Sequence, residues 1–465
     1  MGIVFCGTAP HPPIAVPEVG KGRDKEIRDT QQAMLELGRR LQEKKPEVLV
    51  FITPHGPVFS DAVAVYTIKK MQGDLGEFGA PEVNFDLQSH RLGTSIVEAA
   101  GKLDVPVAGI DEDIMSRIGM DGRLDHGVMV PLYFLREAGV ECPVVVISIG
   151  LIPYHEIYRV GLAIQQAATD TGVDTAVIAS ADLSHRLTSD APAGYDPEGA
   201  VFDREVVRLV GEGDPRGLVT LDHKLVESAG ECGLRPIIMA MGSLDGLAIS
   251  PQILSYQGPF GVGYMVADFK PGRSDPGRRL TDELHMAQKE KMGKRRAAES
   301  SQVRLARETL QKHCKGQRLE DIPVPEELRK EKAGAFVSIK KHGQLRGCIG
   351  TIEPVRHNLA EEIMENAISA GTRDPRFSPV STDELDELEY SVDVLGEPEP
   401  VTGIDELDPH VYGVIVRSGM RKGLLLPDLE GIDTAEEQVS IAMQKAGITP
   451  EEETELERFK VVRYQ

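Results

Sequence analysis

Short runs of consecutive apolar residues alternate, through the first 270 positions, with longer stretches in which apolar side chains recur every three or four residues. The runs near 2–6, 47–53, 61–68, 143–149 and 174–180 are continuous or nearly so, which is the pattern of strands covered on both faces. The intervening spacing predicts helices near 28–44, 90–101 and 156–170. Strands that alternate with helices in this way predict an α/β domain with a mainly parallel central sheet. Leu247 through Tyr256 and Gly261 through Ala267 read as two closing strands around the Gly258-Pro259 turn, so the first domain spans residues 1–270.

The pattern then changes. Lys270-Pro271-Gly272-Arg273-Ser274-Asp275-Pro276-Gly277 has the composition of a linker, and a polar helix with a basic cluster (Lys289, Lys291, Lys294, Arg295, Arg296) completes a connecting stretch over 271–299. That cluster reads as a solvated helix face. From 300 to 465 a smaller α+β domain is expected. It begins with an amphipathic helix carrying Val303, Leu305, Ala306 and Leu310, and continues as a hairpin of 334–339 and 345–352 around His342-Gly343. A helix near 357–370, strands near 388–395, 411–417 and 423–426, and a helix near 434–446 follow.

Composition narrows the function classes. At 465 residues the chain is long enough for two or three domains of roughly 100–200 residues. A formal net charge of −22 argues against nucleic acid and anionic membranes, whose binding draws on clustered Lys and Arg. The absence of Trp also argues against stacking on single strands. Five scattered cysteines, Cys6, Cys142, Cys232, Cys314 and Cys348, fit reduced thiols better than a disulfide framework or a CxxC zinc site. With no apolar run of about 20 residues and no basic-then-apolar N-terminus, the expectation is a cytoplasmic protein.

The chemistry-bearing residues sit where strands are expected to end. His11, in Pro10-His11-Pro12-Pro13, follows the first apolar run, and His55, in Thr53-Pro54-His55-Gly56, follows the second. Loops leaving the carboxyl ends of parallel strands converge on one crevice, so these two imidazoles read as half of a metal site. A carboxylate would complete a two-His-one-carboxylate face that leaves coordination positions open. The candidate is Glu231 in Ala229-Gly230-Glu231-Cys232-Gly233, where small residues permit close approach, with Glu227 as the fallback. His126 in Asp125-His126-Gly127 and His185 in Ser180-Ala181-Asp182-Leu183-Ser184-His185 are candidate acid-base groups, since imidazole exchanges protons near neutral pH. Asp125 and Asp182 could orient those rings or cap helices; His90, His155 and His223 read as surface or capping residues.

Taken together, His11, His55, Asp125-His126-Gly127, Ser180 through His185 and Gly230-Glu231 resemble the motifs of the class III extradiol ring-cleavage dioxygenases, the LigB type, with the MEMO proteins as a related branch. The resemblance implies that His11, His55 and Glu231 hold Fe(II) or another divalent metal, and that His126 and His185 move protons. It further implies oxidative cleavage of a small catechol-like ring with O2. MEMO proteins share the fold but depart at the carboxylate position, so Glu231 favours the enzyme branch. Residues 300–465 resemble the AMMECR family through Leu345-Arg346-Gly347-Cys348-Ile349-Gly350-Thr351, Thr372-Arg373-Asp374-Pro375-Arg376-Phe377 and Gly423-Leu424-Leu425-Leu426-Pro427. This pairing resembles a three-part prokaryotic set that includes a radical-SAM protein, which implies such a partner. The alternatives are therefore a MEMO-like protein acting with that partner, and a non-catalytic scaffold; relatives of the first domain also imply a homodimer. In the second domain Arg346 and Cys348 form a candidate site, because a neighbouring cation favours a reactive thiolate. The competing reading packs Cys348 in the core with Arg346 on the opposite face of the strand.

Overall fold

The computed structural model describes residues 2–341, 344–429 and 431–465, and the chain divides into two compact units, residues 1–287 and 288–465. The first unit is built on an eight-stranded sheet of β1 (Ile3–Ala9), β2 (Val48–Thr53), β3 (Val63–Tyr66), β6 (Val107–Ile110), β7 (Val144–Ser148), β8 (Thr175–Ser180), β9 (Leu247–Gln257) and β10 (Tyr264–Ser274). A separate hairpin joins β4 (Lys70–Leu75) to β5 (Ala80–Gln88). The strand order is β6-β3-β7-β2-β8-β1-β10-β9, and the central β7, β2, β8 and β1 are mutually parallel.

Every residue of β2, β7 and β8 is buried, as continuous Val/Ile/Leu-rich runs require. Alternation along β2 divides the core. Val48, Val50 and Ile52 pack with the helices Leu92–Lys102, Tyr154–Thr171, Pro197–Glu212 and Leu234–Gly242 on one face. Leu49 and Phe51 pack with Arg28–Gln42 and His126–Glu137 on the other. The first of these last two helices buries Ala33, Met34, Leu37 and Leu41, the spacing of a single face. Both faces of the sheet are therefore dry, and the exits of its parallel strands are left as the place for polar chemistry.

Two features depart from the sequence expectation. The β4–β5 hairpin was hidden by its polar outer face: Lys70, Gln72, Glu82, Asn84 and Asp86 alternate with buried Met71, Leu75, Val83, Phe85 and Leu87. The stretch read as a linker is in part strand, since Lys270, Pro271 and Ser274 pair with Ser250, Ile249 and Leu247 as β10 continues along the sheet edge. Proline is tolerated there because it lies near an edge. Asp245 then anchors the helix Leu280–Ala298 by accepting from the Leu280 amide at 2.8 Å.

In the second unit, β11 (Ala335–Lys341), β12 (Gln344–Gly350), β13 (Leu388–Leu395) and β18 (Val461–Tyr464) form an antiparallel sheet in the order β12-β11-β13-β18. The helices Ser301–Cys314 and Leu359–Thr372 cover its apolar face. The sheet of β14 (Glu399–Val401), β15 (Gly413–Ser418), β16 (Arg421–Leu425) and β17 (Glu455–Phe459) packs on the helix Ala435–Ala446. The turn expected at His342-Gly343 lies outside the described residues. Among the described residues no helix is long and apolar enough to cross a membrane.

Candidate metal centre

Three loops leave the carboxyl ends of adjacent parallel strands and meet. His11 follows β1, His55 follows β2 and His185 follows β8, with β8 lying between the other two. The His11 and His55 rings stand edge to face with centroids 4.8 Å apart, and their Nε2 atoms are separated by 3.0 Å. His126 joins them from the first position of its helix, stacked on His55 at 4.3 Å. Asp125 caps that helix and accepts from Thr53 Oγ1 at 2.7 Å, so the β2 exit loop and the helix start are tied together. Gly127 permits the approach: a Cβ there would lie 2.6 Å from Thr53 Oγ1.

The proton count around His11 fixes its tautomer. Ser180 donates its only hydroxyl proton to the Gly127 carbonyl and lies 2.9 Å from His11 Nδ1, so Ser180 must accept from Nδ1–H. The lone pair of His11 is then on Nε2, facing His55. Such an outer partner is the usual means of orienting a ligating imidazole. The His11 amide donates to Asp182 Oδ1 at 2.8 Å, which holds the loop as well as the ring.

Cys232 is the third side chain of the group that could hold a metal ion. Its Sγ lies 3.6 Å from His11 Nε2 and 3.7 Å from His185 Nε2, and His11, His55 and Cys232 offer ligand atoms all within 4.8 Å of one another. Glu231 is absent from that group. Its carboxylate accepts from the Leu234 amide at 2.6 Å, at the start of the helix Leu234–Gly242. Glu227 is at the surface, 3.2 Å from His223 Nδ1. Gly230, with φ of 58°, ends the preceding helix, and Gly233 lets this loop touch the β8 exit, where a Cβ would lie 2.5 Å from the Asp182 carbonyl. The sequence singles out Glu231 in this loop and passes over Cys232, a thiol one residue on and flanked by the same glycines, whose sulfur lies beside the imidazoles.

Burial sets the charges. It holds His11 well below the usual imidazole range, lowers His126 and His185, and brings His55 down to about 4. All four rings are thus neutral near pH 7, the form that binds metal or takes a proton. The 3.7 Å approach of His11 Nε2 to Asp182 is accordingly not an ion pair, and burial pushes the Asp182 carboxyl up to about 7. Burial, with the carboxylates of Asp182 and Glu231 nearby, also pushes the Cys232 thiol well above its ordinary value. Two neutral imidazole nitrogens and a thiol that converge fit a soft or borderline cation, whose binding would expel the thiol proton.

The second unit behaves differently. Arg346 grips Glu384 with both ends of its guanidinium, each at 2.9 Å, and donates to the Ser378 carbonyl at 2.8 Å. Cys348 lies 3.1 Å from Ser338 Oγ across the strand pair, and its amide donates to Asp374. Arg346 falls at an irregularity of the ladder, where Ile339 pairs with Gly347 and Lys340 with Leu345, so it is an extra residue outside the regular alternation that carries Cys348 opposite Ser338. Cys348 is half-buried.

The chain matches two family models: "Catalytic LigB subunit of aromatic ring-opening dioxygenase" over residues 6–267, and AMMECR1 over residues 303–465. A protein of Clostridium acetobutylicum is 42% identical over 460 residues, covering 98% of each chain. A Thermotoga maritima protein is 59% identical over 147 residues, which are 31% of this chain and 84% of that one. Among solved structures, an uncharacterized Pyrococcus horikoshii protein has 33% identity and a TM-score of 0.32, over 35% of this chain and 88% of that one. An uncharacterized Escherichia coli K12 protein has 18% identity and a TM-score of 0.40, over 57% and 99% respectively. By its longer match the chain belongs to the LigB family of aromatic ring-opening dioxygenase subunits, here joined to an AMMECR1 domain.

Proposed function

We propose that the first unit is a metal-dependent, non-haem oxidoreductase in which His11, His55 and Cys232 hold the ion, Fe(II) in the first instance, and His126 and His185 handle protons. The observation that carries this reading is the convergence of the three donors within 4.8 Å, with the Ser180 contact turning the His11 lone pair inward. When bound, such an ion would supply electron transfer between a chelating diol and oxygen. The residues do the rest. His185 Nε2, next to Cys232, is placed to take a hydroxyl proton from a diol at the site, and His126, stacked on His55, to hold a donating N–H toward developing negative charge. Phe78 stands edge-on to His126 with ring centroids 5.4 Å apart.

One observation supports a second reading. Departure at the carboxylate position marks the MEMO branch, and Cys232 rather than Glu231 joins the two histidines. A MEMO-like role beside a radical-SAM partner is then the alternative, with the thiolate drawing softer ions such as Cu(I). The deciding experiment is metal analysis of anaerobically purified protein with catechol added. About one iron per chain and a catechol-dependent absorption band support the oxidoreductase; bound copper, or iron with no catechol response, supports the MEMO-like reading. Protein that takes up neither metal on reconstitution would leave a scaffold.

A further inference from the structure

Asp203 is fully buried on the helix Pro197–Glu212, and no cation pairs with it among the described residues. Its Oδ1 accepts from the Ser184 amide at 2.8 Å and its Oδ2 from the Tyr256 hydroxyl at 2.6 Å. A carboxylate buried without a counter-ion is costly unless donors of this kind satisfy it, and both of its donors lie on other elements of the fold. Gly199, one turn earlier, faces the same residue: a Cβ there would lie 2.4 Å from Ser184 Oγ. Gly263 gives way as well, since its Cβ would lie 2.0 Å from Asp203 Oδ2. The helix is therefore shaped at two positions of one face to seat the Ser184 backbone.

Ser184 precedes His185, and the whole turn is clamped. Leu183 N donates to the Gly263 carbonyl at 2.8 Å, and Gly263 N donates to the Ser184 carbonyl at 2.9 Å. The Ser184 hydroxyl donates to the Ala229 carbonyl at 3.0 Å and accepts from the Arg186 amide at 3.1 Å. His185 N also donates to Ala229, at 3.1 Å, three residues before Cys232. We infer that Asp203 is the positioning residue of the centre, fixing the Ser184–His185 turn so that the His185 imidazole stands over the Cys232 sulfur. It touches neither metal ligand nor reacting atom and acts through the backbone. Tyr256, on edge strand β9 and 40% exposed, secures its second oxygen from the solvent side. This role rests on the reading of His185 as the proton-handling group.

Hydrogen–deuterium exchange at imidazole C2, read for each histidine-containing peptide of the full chain by mass spectrometry, tests it without any turnover. Asp203→Ala is expected to speed exchange at His185 by about threefold or more, leaving His11 and His55 within about twofold and metal content unchanged. Asp203→Asn keeps an oxygen for the Ser184 amide and should return His185 to within about twofold of wild type. Should Asp203→Ala fail to unfold cooperatively, Tyr256→Phe carries the test, with a smaller acceleration confined to His185. Unchanged His185 exchange in the variants that fold, or equal acceleration of all the site histidines, would overturn the proposal. Activity of His185→Ala tests the acid-base reading separately, so failure of one is distinguishable from failure of the other.

Discussion

Each unit sets a cysteine among chargeable side chains, and the two settings are opposites. Around Cys348 three guanidinium groups already have their carboxylates: Arg346 holds Glu384, Arg376 holds Asp374 at 2.7 Å, and Arg463 holds Asp393 at 2.8 Å. Around Cys232 the neighbours are neutral imidazoles, and the Nε2 atoms of His11 and His55 lie 3.0 Å apart. The first arrangement is complete as it stands and fixes strand β12 against its surroundings. The second brings three ligand atoms within 4.8 Å of one another, a group that a cation could bridge. A thiol beside cations looked reactive in sequence, but what separates a site from a brace is whether the charges are already spent.

The contrast can be broken by substitution. His55→Ala removes one of three donors and should weaken metal binding by at least about 100-fold, read as metal retained after gel filtration; retention at the wild-type level would abolish the distinction between the units. His185→Ala should keep the metal yet slow turnover of a responsive diol by about 10²–10⁴. Wild-type rates in that variant would leave His185 a structural residue. Ser180→Ala frees the His11 tautomer and should weaken metal binding by about 10–100-fold, a smaller loss than at His55.

Acidity sharpens the same comparison. The Cys232 thiol is pushed up, so it is protonated near pH 7 and must lose its proton on binding, whereas the lowered histidines are already neutral above about pH 6.5. Apparent metal affinity should therefore rise about tenfold per pH unit between roughly pH 6.5 and 8.5, from one proton released, and the slope should vanish in Cys232→Ala. A flat wild-type profile would show that no thiolate forms. The smallest effect belongs to the second unit. Arg346→Ala leaves Glu384 without its guanidinium and should cost about 2 kcal/mol of that unit's stability, with metal content untouched. Loss of metal on that change would contradict the separation of roles.

Much of the first unit was legible because its strands are dry on both faces: nothing but a buried parallel strand reads as Val48-Leu49-Val50-Phe51-Ile52. Its histidines were legible for a related reason, as polar residues directly after such runs must lie at strand exits. The β4–β5 hairpin, which carries Phe78 at its turn toward His126, was not legible, since half of each strand is polar and a glycine interrupts the alternation. Nor was the approach of Cys232 to the histidines. Adjacent residues in a loop between two helices follow no period, and it is the fold that sets the Glu231 carboxylate on the Leu234 amide and the Cys232 sulfur beside the imidazoles. In the second unit the partners of Arg346 and Cys348 come from distant segments around 374 and 384 that no local pattern announces.

The central claim is that Cys232, not its neighbour, completes the centre. Metal content per chain should be measured after anaerobic purification for Cys232→Ala and Glu231→Gln, alongside wild type. The account predicts that the cysteine variant loses most of its metal while the glutamine variant, which can still accept from the Leu234 amide, keeps it. Metal retained without Cys232 and lost without the Glu231 carboxylate would contradict it and return the site to two histidines and a carboxylate.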